Sequence, residues 1–252
     1  SEVMPTEPYL LGSHSGCCGF WVSGPNYDWV PDSYKWGYNR MTTVNGLFTA
    51  GDGVGCSGHK FSSGSHSEGR IVAKEMVKYV RDHADLKPAI AQSTEELVDL
   101  VYKPVRLFLE NKDYTTMVDI NPAYVKPSGM ALRLMKATHE YGAGTATFYQ
   151  TTSKNLEIIM EMLNVMKEDC EKLAAGDLHE LMRAWEIKHR IWTVESHLRH
   201  IQFRKETRYP GFYYQADYPG QDDENWFCFV NSKYDPKAGT WDTFKKDYVK
   251  II

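Results

Sequence analysis

A short apolar segment that runs into a Gly-Asp turn and then into the start of a helix constrains this chain most. Residues 44–55 carry Gly51 and Asp52 at the turn, and a Gly/Ser-rich loop over 59–70 follows. Backbone N–H groups at a helix start attract anionic or electron-rich atoms. A carboxylate at the end of a strand accepts hydrogen bonds from ribose-type hydroxyls. The pattern therefore predicts a crevice that holds a nucleotide-like cofactor.

The other half of such a site is missing from the sequence. A dinucleotide-binding fold normally begins with a strand and a G-x-G-x-x-G turn for the pyrophosphate, and no such turn precedes Val44. The sequence opens on Ser1, with neither an initiator Met nor a signal peptide. We therefore expect the C-terminal part of a larger protein, which binds such a cofactor poorly by itself.

Composition excludes several classes of function. A net charge of −4 gives no reason to expect nucleic-acid binding, and the sequence has no run of 18 apolar residues that could span a membrane. The five cysteines are odd in number and form no C-x-x-C pair. They predict neither an iron–sulfur nor a structural zinc site, and they favour a reduced, cytoplasmic compartment.

From Ser65 onward the residue pattern becomes helical. Ser65 and Glu68 have the S-x-x-E spacing of a capping box, apolar residues recur behind them at helical intervals, and Pro88 ends this unit. Short connections between the later helices favour an antiparallel bundle. These helices are predicted at 94–111, 128–141, 153–175 and 177–204. The buried stripe predicted for the last helix consists of Leu178, Leu181, Met182, Trp185, Ile191, Trp192, Leu198 and Ile201.

Both ends of the chain are irregular. Short strands are predicted at 20–22 and 46–50, and the aromatic tail beyond Arg208 is predicted to end in a hairpin around 226–232. Arg and Glu residues in 204–208 precede an acidic turn. Bidentate bonds there are expected to attach the tail to the cofactor domain.

His14 is the first candidate for chemistry. It lies in a segment of small residues over 12–19, where the backbone can approach a planar ligand and the imidazole can project. A His can donate to an oxyanion or protonate a leaving group near neutral pH. Most lone histidines serve no chemistry, but the Gly-rich setting favours a functional one here. Cys17 and Cys18 are interpreted as small side chains near a flat ring rather than as a redox pair.

Other histidines give weaker signals. His59 precedes Lys60 in the crevice loop, where the two groups suit an anionic substrate or are simply solvated loop charges. The remaining histidines of interest fall on one long helix without a metal-binding partner motif, so we expect surface or interface residues. They are His179, His189, His197 and His200.

These motifs carry a family resemblance. Residues 46–53 resemble the distal FAD motif of the succinate dehydrogenase/fumarate reductase flavoproteins. The segment 14–19 stands where that class has its substrate-binding His, and the segment 204–226 resembles its C-terminal signature. The dicarboxylate enzymes place an Arg in the next loop to clamp a substrate carboxylate, whereas this chain has Ser62 or Ser63 there. Together with residues 12–19, 35–40 and 156–184, this loop more specifically resembles the alpha subunits of dissimilatory adenylylsulfate (APS) reductases.

The resemblance implies an α/β plus α fold. Residues 1–88 would form the C-terminal portion of a fumarate reductase-type FAD-binding domain, and 89–205 an antiparallel helical domain. Residues 206–252 would form an extension that wraps the flavoprotein or its partner. The implied reaction is the reversible two-electron reduction of APS to sulfite and AMP, through a sulfite adduct at flavin N5. Electrons would come from a ferredoxin-like beta subunit with two [4Fe–4S] clusters. Further implied partners are the N-terminal remainder of the flavoprotein and, indirectly, a membrane electron donor.

The resemblance also implies roles for individual residues. His14 would face the sulfur group and stabilise charge that develops on its oxygens. Asp52 would hold the ribityl chain of FAD, and the small residues Cys18, Gly19 and Gly51 would border the cofactor. His59 and Phe61 would line the substrate channel. The backbone N–H groups of Ser65, His66, Ser67 and Glu68 would meet the flavin pyrimidine edge, and no metal is expected in this chain.

Two alternatives stay open from the sequence. One is a fumarate reductase, succinate dehydrogenase or aspartate oxidase, which would turn over dicarboxylates without responding to APS. The other is a non-catalytic helical interaction module, which would fold stably and bind partners without flavin.

Overall fold

The computed structural model describes residues 19–55, 61–114, 121–208 and 213–248, and the chain divides into two compact units. The first has the bounds Ser1–Ala89 and Asp247–Ile252, and the second is Ile90–Lys246. Within the described residues, the helices are too short or too polar to cross a lipid bilayer.

The described part of the first unit is mostly turns packed against one long helix. Two 3-10 turns, Asp32–Tyr34 and Gly51–Gly53, precede helix α1, Phe61–Asp82. The strands predicted at 20–22 and 46–50 are wrong as strands: among the described residues of this unit, these segments form isolated bridges, Phe20 with Val54 and Met41 with Phe48. The Gly- and Pro-rich sequence of this region disfavours longer strands.

Helix α1 begins at Phe61, so the predicted capping box at Ser65 is wrong. Its Glu68 is occupied by a tertiary contact instead, since both carboxylate oxygens accept hydrogen bonds from Arg40. Ser67 behaves as a residue inside a helix, because its hydroxyl donates to the Ser63 carbonyl at 3.0 Å. The pattern located the helix correctly and placed its start four residues too late.

The second unit contains the helices that the sequence predicts. They are α2 Thr94–Asn111, α3 Pro127–Tyr141, α4 Ser153–Asp169 (followed by a 3-10 turn, Cys170–Lys172) and α5 Leu178–Phe203, with a short α6 at Asp223–Trp226. Local signals fix several starts. Ser93 and Glu96 form a complete capping box. Asp177 caps α5 by accepting from the Glu180 N–H at 2.8 Å. The Glu180 carboxylate accepts from the Gly176 N–H, so these two residues do not form a complete capping box.

Four short strands complete the second unit. Strand β1, Gln150–Thr151, pairs in parallel with β2, Tyr214–Gln215, with Thr151 opposite Gln215. Strands β3, Cys228–Asp235, and β4, Thr240–Asp247, form the hairpin predicted in the tail. The hairpin begins slightly later than predicted because Trp226 belongs to α6. It is also longer than predicted.

The core of the second unit lies where α3, α4 and α5 pack together. On α5 the predicted residues Leu181, Ile191, Leu198 and Ile201 are buried. Three others are wrong, since Leu178, Met182 and Trp192 are 70%, 54% and 38% exposed. Leu178 is the first residue of the helix, and Met182 lies about 100° around it from Leu181. Trp192 instead packs edge-on against Tyr234 of the hairpin, with ring centroids 4.8 Å apart.

A buried carboxylate attaches the beginning of the tail to the end of α5. Glu206 is completely buried and accepts from Arg204 at 2.5 Å, from Arg208 at 2.6 and 3.0 Å, and from the Asp222 N–H at 2.8 Å. Arg204 also donates to the carbonyls of Trp226 and Cys228, each at 2.8 Å. The bidentate bonds predicted from the sequence therefore exist, but they attach the tail to the end of α5 within the second unit.

Candidate functional site

In the first unit, the segments that the sequence predicts to border the cofactor crevice approach one another closely. Gly19 has φ +148°, and a Cβ placed on it would lie 2.6 Å from the Gly55 nitrogen. The neighbouring Phe20 N–H donates to the Gly53 carbonyl at 2.7 Å, and the Gly55 N–H donates to the Phe20 carbonyl at 3.0 Å. Only glycine permits this contact, because any side chain would meet main-chain atoms that cannot move aside.

The Gly51–Gly53 turn then meets the beginning of α1. Gly51 has φ +60°, and a Cβ there would lie 3.0 Å from the Ser65 hydroxyl oxygen. Gly51 is buried, whereas the neighbouring Asp52 is exposed and Ser65 is half-buried. The structure therefore brings Gly19, Gly51, Asp52 and Ser65, four residues that the sequence predicted as cofactor ligands, to one place.

The position of the helix start changes which backbone groups can bind an anion. In a helix that begins at Phe61, the N–H groups of the first turn lack intrahelical carbonyl partners, and those of residues 65–68 donate within the helix. Any contact of Ser65, His66 or Ser67 with a ligand must therefore come from the side chains, of which His66 and Ser67 are exposed. Their role toward a flavin stays a prediction.

Glu68 has a defined side-chain role that the sequence did not reveal. It is 7% exposed and forms a bidentate ion pair with Arg40, whose Nε and NH2 groups donate at 2.5 and 3.0 Å. Two further acids of α1 accept from the residues before Arg40: Glu75 from the Asn39 N–H at 3.1 Å and Asp82 from the Tyr38 hydroxyl at 2.9 Å. The spacing of seven residues between these acids was the signal that could have found this contact, because it places them on one helix face.

Several predicted site residues cannot be compared with the structure. His14, Cys18 and His59 lie outside the described residues, and Phe61 is described only as the first residue of α1. Within the part of the chain that the structure describes, His, Cys, Asp and Glu side chains form no cluster suited to a metal ion.

Comparison with known proteins identifies what this arrangement is similar to. No family model matches the chain. Along its entire length, however, it is 55% identical to the adenylylsulfate reductase subunit alpha of Megalodesulfovibrio gigas, of which it spans 39%. The solved adenylylsulfate reductase of Archaeoglobus fulgidus matches with a TM-score of 0.89 and 51% identity, over 96% of this chain and 38% of that one.

By sequence and by fold, this chain is similar to part of an APS reductase alpha subunit. The family resemblance and the fold class predicted from the sequence are thus confirmed. A further structure with the same TM-score and identity is of adenosine-5-phosphosulfate reductase in complex with sulfite as a covalent adduct. Escherichia coli quinol fumarate reductase FrdA matches 82% of the chain at a TM-score of 0.58 and 18% identity, which shows a shared fold alone.

Proposed function

We propose that this chain contributes the flavin-ring side of the active site in an FAD-dependent APS reductase, which converts APS and two electrons into sulfite and AMP. The main support is the 55% identity that extends over the entire chain. Because the chain spans 39% of that relative, the activity belongs to a longer protein. The alternative of a non-catalytic helical module leaves the backbone-lined crevice of the first unit without a role.

The residues present fit FAD. Gly19 and Gly51 carry no side chain of their own where the segments meet, so a flat ring could approach their main-chain atoms. The exposed Asp52 carboxylate supplies acceptors for ribityl hydroxyls, and the first turn of α1 supplies N–H donors. Bound FAD would supply the exchange of two electrons with the sulfur of the substrate. The chain's own residues would orient the cofactor and favour negative charge near the helix start.

The first turn of α1 supports a sulfur substrate over a dicarboxylate. Where the dicarboxylate enzymes are expected to carry a clamping Arg, this chain has Ser62 and Ser63, both exposed in the first turn of α1. Hydroxyls can donate to a sulfate or phosphate oxygen without a full positive charge. In this proposal His14 acts on the sulfur group, and His59 and Phe61 line the substrate channel.

The electron supply would come from another chain. We propose a ferredoxin-like beta subunit with [4Fe–4S] clusters, in line with the designation of the relative as a subunit alpha. The described cysteines Cys170 and Cys228 are buried and unpaired with each other. Burial raises the pKa of the Cys170 thiol to about 11, so it remains protonated and is a poor cluster ligand. A cytoplasmic location, where cysteines stay reduced, is part of the same proposal.

The test is the activity of the full flavoprotein purified with its partner subunit. We expect electron transfer from a reduced viologen dye that depends on APS and yields sulfite and AMP in equal amounts. Fumarate or succinate should give no turnover. Dicarboxylate turnover with no response to APS would contradict the proposal and favour a fumarate reductase-like enzyme. A flavin-free protein that binds only the partner would favour the helical module.

Asp52→Ala in that flavoprotein should reduce FAD retention. Loss of the carboxylate removes charge-assisted hydrogen bonds to the cofactor, each contributing roughly 1.5–3 kcal/mol, which corresponds to a 10- to 150-fold weaker affinity. The measurement is the ratio of absorbance at the flavin and protein bands after extensive dialysis. Asp28→Ala, at an exposed position of the same unit, serves as the control and should retain FAD. Unchanged retention in Asp52→Ala would show that this carboxylate does not hold the cofactor.

A further inference from the structure

Three consecutive residues of the first unit are attached to three acids along one face of α1. Tyr38 donates to Asp82, the Asn39 N–H to Glu75, and Arg40 to Glu68, in reverse order along the helix. The acids recur every seven residues. This contact fixes how the segment before the Gly51–Gly53 turn lies against the helix.

Arg40 is the member of this set that is most constrained. Its backbone has φ +70°, a conformation that residues other than Gly seldom adopt. Its N–H donates to the Ser23 carbonyl at 2.8 Å, and its carbonyl accepts from the Thr49 N–H at 3.3 Å. All three guanidinium nitrogens are used, two on Glu68 and NH1 on the Asn39 side chain at 2.9 Å.

Each partner of the ion pair is connected to a segment that borders the predicted crevice. Glu68 follows Ser65, which contacts Gly51, by three residues on α1, and Arg40 binds Thr49 two residues before Gly51. Both side chains are mostly excluded from water, since the exposed fraction of the side chain is 20% for Arg40 and 10% for Glu68. Charges in such a setting act on their neighbours more strongly than surface charges do.

We infer that Arg40 and Glu68 keep the proposed flavin site electrostatically neutral on this side, so that changing either charge alone changes how well the site accepts negative charge. The inference depends on the proposed function. Arg40 holds Glu68 in a neutral pair, so the crevice gains neither a net acid nor a net base from these two residues. Removing the charge of either residue changes the net charge beside the crevice by one unit.

The two single substitutions should therefore act in opposite directions on sulfite binding to the flavin-loaded holoenzyme. Arg40→Gln removes a positive charge and should weaken sulfite binding on the order of tenfold, while Glu68→Gln should strengthen it by a similar factor. The double variant, which is neutral again, should bind sulfite within about twofold of the unsubstituted enzyme. Affinity is read from the loss of flavin absorbance on titration with sulfite, and the flavin midpoint potential should move in the same sense.

Matched variants separate charge from structural damage. Arg40→Lys keeps the charge and loses the bidentate geometry, so it should lower the urea midpoint while leaving sulfite affinity nearly unchanged. Arg133→Gln breaks the 2.7 Å ion pair with Asp169 in the second unit and should leave sulfite affinity unchanged.

Shifts of both single variants in the same direction, or no shift in either, would overturn the inference. If Arg40→Gln fails to retain flavin, the test depends on Glu68→Gln by itself. Weaker or unchanged sulfite affinity of the Glu68→Gln variant would contradict the inference. Failure of the proposed function would look different, because the unsubstituted enzyme itself would then show no APS-dependent activity.

Discussion

Replacing Glu206 with Gln is expected to lower the free energy of unfolding of the second unit by about 3–5 kcal/mol. The substitution keeps the size of the side chain and removes the charge that Arg204 and Arg208 share in a fully buried position. The cost of leaving buried positive charge without its partner dominates. Arg208 keeps its 2.8 Å contact with the exposed Asp223, which offsets part of the loss.

Urea denaturation monitored by tryptophan fluorescence measures this effect, since Trp226 lies in the same network. Glu157→Gln is the matched control. It breaks an exposed pair with Lys154, 3.2 Å apart on one helix, and should change stability by no more than about 0.5 kcal/mol. An equally small effect of Glu206→Gln would mean that the ion pairs do not hold the tail.

The effect of Glu206→Gln should depend on pH in a defined direction. Burial by itself raises the pKa of Glu206, but hydrogen bonds from Arg208, the Asp222 N–H and Arg204 outweigh it and lower the pKa below the usual glutamate range. A carboxyl with a lowered folded-state pKa stabilises the fold above its unfolded pKa and loses that contribution as pH falls through the folded-state value. The difference between the two proteins should therefore be full at neutral pH and shrink in acid. A difference that grows in acid would contradict this account.

Gly19→Ala should have the second large effect, because it tests the backbone contact that forms the crevice. The added Cβ would lie 2.6 Å from the Gly55 nitrogen, 2.7 Å from the Val54 carbonyl carbon and 2.8 Å from the Gly53 carbonyl oxygen. Overpacking and the unfavourable φ of +148° each cost about 1–3 kcal/mol, so the unit should lose roughly 2–6 kcal/mol in sum. The flavoprotein should also lose FAD, since the Gly51–Gly53 turn would be displaced.

Gly69→Ala is the control for that experiment. It lies inside α1 with open space around its Cα, and replacing a mid-helix Gly by Ala should stabilise the protein by roughly 0.5–1 kcal/mol. Thermal unfolding and the flavin-to-protein absorbance ratio measure both variants. Retention of full FAD content by Gly19→Ala would show that close packing of these segments is not required.

The sequence predicted the second unit more completely than the first for a physical reason. Helices α2 to α5 are specified locally, by caps such as Ser93 and Asp177 and by apolar residues at helical spacing. On α5, Leu178 and Met182 are exposed because of their positions on the helix, whereas the surroundings of two other residues depend on contacts that the local pattern does not contain. Trp192 packs on a hairpin about 40 residues away, and the buried Glu195 is neutralised by Lys167 and Arg199.

The candidate site was only partly predictable from sequence. Gly19, Gly51, Asp52 and Ser65 were predicted as neighbours from Gly-rich turn signatures, and their role toward a cofactor stays a prediction, while the strand before Gly51 and the helix start at Ser65 were wrong. The Arg40–Glu68 pair was missed because the seven-residue spacing of the acids on α1 does not by itself identify their partners. Glu68 matched a capping box, and only the tertiary structure shows that its carboxylate is taken by a residue 28 positions earlier.

The most direct test of the central claim is an experimental structure of the holoenzyme with its flavin in place. We expect the flavin ring against the backbone of Gly19 and the Gly51–Gly53 turn, with Asp52 within hydrogen-bonding distance of the ribityl hydroxyls and the first turn of α1 facing the ring. A flavin located away from these segments, with Asp52 and the start of α1 facing only solvent, would contradict the account.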